Sequence, residues 1–134
     1  MGNDYLCPWC RGHLRVNDNI IFSAETKVEN GGLILINPTL GDYTIKKHQT
    51  FKFEQGEHVN FYCPICHAKL GENEKIQNLA KILMVDEQNN EYEVLFSEIY
   101  GEKCTYKIKE NEIKAFGEHS SRYLEFLAQY PHVS

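Results

Sequence analysis

Two eight-residue stretches, "CPWCRGHL" at Cys7–Leu14 and "CPICHAKL" at Cys63–Leu70, constrain this chain more than any other feature. They agree at both cysteines, at the proline and at the closing leucine. The same local structure is therefore expected twice. A Cys-x-x-Cys segment places two thiols on one tight turn, and proline at its second position favours that turn. Backbone N–H groups beyond the proline can donate to the sulfurs. Gly12 and Ala68, each two places after the second cysteine, let the chain curl back. Such a turn is either a redox pair or half of a metal site.

The redox reading asks for more than the turn. A thioredoxin-type pair sits at a helix N-terminus beyond a β-strand, where the dipole lowers the thiol pKa. Only six residues precede Cys7, few for a strand and its turn, and "RGHLRVNDN" starts a helix poorly with Gly12 so near. The alternating β/α pattern of that fold is missing as well. The metal reading uses both copies, because two knuckles supply the four thiolates of a closed tetrahedral site. The expected metal ligands are Cys7, Cys10, Cys63 and Cys66, holding one Zn2+ per chain.

At these residues the chain resembles the zinc-ribbon group, in which two Cys-Pro-x-Cys knuckles at the ends of β-hairpins share one zinc. The resemblance covers residues 7–14 and 63–70, and it implies the same four cysteines as ligands. Compact ribbons separate their knuckles by ~15–20 residues, whereas 52 residues lie between Cys10 and Cys63. A split ribbon with a β insertion is expected, and the functions of compact ribbons do not carry over. Rubredoxin is similar at the same four cysteines and holds iron for electron transfer. A glycine usually follows the second cysteine of each rubredoxin pair, but here Arg11 and His67 stand there. Zinc is expected over iron.

The rest of the chain reads as strands. "NIIFSAET" and "LILIN" flank the turn signal Asn30-Gly31, and "YTIKKHQ" resumes after Pro38 and Gly41. "FKFEQGEHVNFYC" reads as a hairpin about Gln55-Gly56, with Phe51, Phe53, Val59 and Phe61 on one buried face. Residues 74–84 fit either a helix or a strand; a strand from Leu79 is favoured because "DEQNN" follows as a turn. "EYEVLFSEI", "CTYKIK" and "EIKAF" continue an antiparallel meander. Tyr123, Leu124, Leu127 and Tyr130 recur at helical spacing, with Ser120 or Ser121 as cap and Pro131 as stop. The expected fold is mainly β (α+β): antiparallel sheets and hairpins, a split zinc ribbon and one C-terminal helix. A single domain over 1–134 is expected, with the ribbon part at 7–70 and the meander plus helix at 79–130.

Composition bounds the function. The 42% hydrophobic and 25% charged residues are those of an ordinary soluble domain. No run approaches the ~18 apolar residues of a membrane span, and no secretory pattern opens the chain. A cytoplasmic location is expected, where thiols stay reduced. The formal net charge of −5 weighs against nucleic acid as a partner. The cluster Lys46, Lys47 and Lys52 reads as a solvated strand face. Cys104 reads as a buried strand residue, and His13 and His67 as neighbours of the knuckles rather than ligands.

No catalytic arrangement can be argued, and a zinc closed in by four cysteines leaves no open position for chemistry. A non-enzymatic protein with structural zinc that presents a surface to another protein is expected. Its rivals are a nucleic-acid-binding regulator and a rubredoxin-like iron carrier or thiol redox switch. From Ile82 to Glu102 there is no Lys or Arg. Glu91 and Glu93 there are expected to form an acidic face, either solvated or turned to a basic partner.

Overall fold

The computed structural model describes residues 3–26, 31–71, 78–109 and 112–123. Within them lie ten strands: β1 (Asp4–Leu6), β2 (Arg15–Val16), β3 (Asn19–Thr26), β4 (Gly31–Ile36), β5 (Ile45–Lys47), β6 (Val59–Tyr62), β7 (Leu79–Val85), β8 (Glu91–Ser97), β9 (Thr105–Lys109) and β10 (Glu112–Phe116). One sheet runs β1-β7-β8-β9-β10, and the other runs β2-β3-β4-β5 with β6 also paired to β3. Every pairing is antiparallel. No described helix is long and apolar enough to cross a membrane.

Period-two patterning explains β3, where Ile20, Phe22, Ala24 and Thr26 are buried and the residues between them are not. β7 lacks that alternation because it lies between β1 and β8 and is covered on both faces. Apolar residues at nearly every position then mimic helical spacing. The strand reading of 79 onward is the one the fold adopts. The two sheets share a core in which Tyr5, Ile82, Met84 and Val94 of the first meet Ile20, Phe22, Ile34 and Phe61 of the second. The rings of Phe22 and Phe61 in this core and of half-buried Phe96 packed against it lie 5.2 to 5.4 Å apart, centroid to centroid.

The mainly-β class stands, but the C-terminal helix does not. The described residues contain no α-helix, and the expected cap Ser120 opens a single 3-10 turn, Ser120–Tyr123. Tertiary contacts fix this turn. The Ser120 carbonyl accepts the Tyr106 hydroxyl, the Tyr123 hydroxyl donates to Glu102 at 2.6 Å, and the His119 amide donates to the Lys103 carbonyl. The remainder of the expected helix, from residue 124, lies outside the described residues, as does Asn30 of the expected turn.

Three further expectations are corrected. The turn at Gln55-Gly56 exists, with Gly56 at φ 85°, but Phe51–Glu54 is no strand. Gly56 donates instead to the Tyr100 carbonyl, and β6 pairs with β3. A strand does precede Cys7, since β1 needs only three residues when β7 supplies its partner. The meander's second face is not simply solvated. Leu79, Leu95, Cys104, Tyr106 and Ile108 form a second buried cluster on it.

Candidate metal centre

Each knuckle lies where the chain passes from one sheet to the other. The first joins β1 of one sheet to β2 of the other, and the second follows β6 on the way back toward β7. Their backbones repeat bond for bond. The Cys7 and Cys63 amides donate to Gly12 and Ala68 carbonyls at 3.0 Å, and the Arg11 and His67 amides return to Cys7 and Cys63 carbonyls at 2.9 Å. Leu14 and Leu70 close the repeats by donating to the Tyr5 and Phe61 carbonyls. The expectation that one structure is built twice is met.

Arg11 and His67 adopt left-handed conformations, φ 58° and 67°. Glycine suits this region, and other residues adopt it at a cost of roughly 1–2 kcal/mol. The conformation turns the next amides, of Gly12 and Ala68, onto the second sulfur of each knuckle. The first sulfurs are better served. Cys7 Sγ accepts from the Trp9 and Cys10 amides at 3.3 and 3.5 Å, and Cys63 Sγ from the Ile65 and Cys66 amides at 3.3 and 3.4 Å.

The structure brings the four predicted cysteines together. All four sulfurs lie within 4.8 Å of one another, forming a group that could hold a metal ion. The cross-knuckle distances, Cys7 to Cys66 and Cys10 to Cys63, are both 3.8 Å. A tetrahedral thiolate centre with metal–sulfur bonds of about 2.3 Å has sulfur–sulfur edges of about 3.8 Å, so the donor set fits such a centre in size and in chemistry. Cys7 and Cys63 are fully buried while Cys10 and Cys66 are exposed. Burial pushes the Cys7 thiol up to about 12 and raises Cys63 too, against the pull of the backbone donors. The Ala68 amide holds the exposed Cys66 below the usual thiol range. A cation beside these two buried sulfurs would be needed to favour their thiolate forms, and the four-cysteine group could hold such an ion.

Neither histidine joins the group. His13 Nδ1 meets Asp4 Oδ2 at 2.5 Å, and His67 is exposed outside the four sulfurs. Cys104 is buried as expected, but it stands just before β9 rather than in a strand, and burial pushes its thiol up to about 12. The acidic strand is already paired in part: Arg11 reaches Glu91 at 2.6 Å and Lys81 reaches Glu93 at 3.2 Å.

Two features were missed in the sequence. The Glu98 carboxylate, 2% exposed, accepts the Phe61 amide at 3.2 Å and meets His58 Nε2 at 3.3 Å, tying the meander to the strand that leads to Cys63. Burial raises its pKa, while the Phe61 amide and His58 pull it down. No local pattern announces that pair. The other feature was legible: the third position of each knuckle is large and apolar, and Trp9 and Ile65 stand 67% and 55% exposed.

No known protein family, curated protein or solved structure matches the chain.

Proposed function

We propose that the chain is a zinc-binding protein in which Cys7, Cys10, Cys63 and Cys66 hold one structural Zn2+. Its role is to present the surface around that centre to another protein. The observation that carries the reading is the placement of both knuckles at the crossovers between the two sheets. A metal there fixes how the sheets meet, which is a structural task. Four thiolates close the coordination shell and leave no position for substrate, in keeping with a protein that is not an enzyme. Soft thiolate ligands suit both zinc and iron; Arg11 and His67 in the places of rubredoxin's glycines favour zinc. Four thiolate ligands and a buried Cys104 thiol suit a reducing compartment such as the cytoplasm.

The exposed Trp9 and Ile65 are the natural contacts for a protein partner, since buried aromatic and aliphatic anchors carry most interface energy. Nucleic acid is less well served by the cations. Lys107 and Lys109 lie over the Tyr92 ring, and Lys47 over Phe53.

Elemental analysis of the purified protein is expected to give close to one equivalent of zinc and a colourless solution. A red protein with one equivalent of iron would point to an electron carrier, and no metal at all would end the reading. The partner arm is separate. Trp9→Ser with Ile65→Ser is expected to cut partner capture at least tenfold from cells that express the protein, with zinc content and melting temperature unchanged. Undiminished capture would remove the knuckle tips from the interface.

A further inference from the structure

Between the two sheets, apart from the metal centre, lies a cavity of about 240 Å3. Its inner wall is made of residues that are themselves fully buried, Ile34 and Val94 among them, with the Phe22, Phe61 and Phe96 rings beside them. Its outer rim reaches the surface at Gly41 and Lys103, both exposed. There it meets a shallow polar groove lined by Thr39, Asp42, Gly117 and Glu118. Protein interiors seldom leave voids larger than a water molecule. An apolar space of this size with a polar mouth has the form of a small-molecule site.

We infer that this cavity binds a small neutral amphiphile, a single aliphatic chain whose hydroxyl or similar uncharged head rests at the mouth. The described residues leave no buried side-chain nitrogen or oxygen without a partner, so the deep part asks for hydrocarbon alone. The charges at the mouth are already engaged, Lys103 with Glu118, Asp42 with the Thr44 amide and Glu102 with the Ser97 and Tyr123 hydroxyls, so an ionic head would have to displace an existing partner. Size limits the chain. An apolar cavity of ~150 Å3 takes benzene, which scales to about ten heavy atoms here. Octan-1-ol is a matched probe.

Titration of the metal-loaded protein with octan-1-ol, followed by amide NMR shifts, is expected to show saturable binding. The shifts should centre on Ile34, Val94 and Phe96 and spare Trp9 and Ile65. Ile36 lines the cavity near the β4–β5 end, and Ile36→Phe should fill it, weakening octanol binding at least tenfold while the protein stays folded. Leu33 faces outward from the same strand at 55% exposure, and Leu33→Phe should leave binding unchanged. If Ile36→Phe does not fold, Ile45→Phe fills the cavity from the neighbouring strand. No saturable binding to the unaltered protein, shifts confined to the knuckle tips, or equal binding by the filled variant would each overturn the inference. None of these outcomes depends on whether the bound metal is zinc.

Discussion

Cys63→Ser is expected to lower the melting temperature by roughly 20 °C. Structural zinc supplies on the order of 10 kcal/mol in peptides that have no core of their own. Here the two sheets share a buried core, so a smaller share, about half, is expected. At ~4 °C per kcal/mol for a domain of this size, the shift follows. Cys63 is the right position because its sulfur is fully buried and accepts two backbone donors, which a hydroxyl there would leave poorly satisfied. The β7–β10 meander is expected to persist, since its pairings are local in sequence. Thermal melting with and without chelator checks this. Chelation should reproduce the loss in the unaltered protein and add nothing to the variant. Melting that ignores both treatments would mean that the metal has no structural role.

Phe22→Ala is expected to cost about 3–5 kcal/mol, the range for truncating a buried phenylalanine. Phe22 is 1% exposed and its ring contacts both Phe61 on its own sheet and Phe96 on the other. Truncation removes one of the two ring contacts that span the interface, leaving Phe61 against Phe96, and enlarges a space that is already present, so neighbours have little means to close over the gap. Urea unfolding should show a lowered midpoint with the slope retained. Zinc content should not change, which separates this loss from that of Cys63→Ser. A cost below ~1 kcal/mol would mean that the sheets are held together elsewhere.

The four cysteines were legible because a tight turn is a local matter, and the same turn was written twice. β3 and β8 were legible for a similar reason: their alternation or flanking turns sit within a few residues. What failed depended on distant partners. β1 is three residues long and forms only because β7 lies beside it. The expected strand at Phe51 lost its partner because β3 took β6 instead. Ser120 looked like a helix cap until Tyr106, fourteen residues earlier, claimed its carbonyl. Leu95 looked like one apolar residue in a strand with one buried face, but a second cluster covers that side too. Patterns of period two or 3.6 record burial, and they do not record which element does the burying.

β1 stands at the edge of its sheet, and its last residue, Leu6, adjoins Cys7. Under the proposed zinc site the metal therefore also holds a cover strip in place. Beneath that strip lie Leu83, Met84 and Val85 of β7, an uncharged apolar stretch. A bare strand of that kind is a template for joining other chains edge to edge. Under that proposal, oxidation of the cysteines would release more than a metal ion: it would loosen the guard on this apolar edge. Loss of the proposed metal is therefore expected to lower solubility as well as stability.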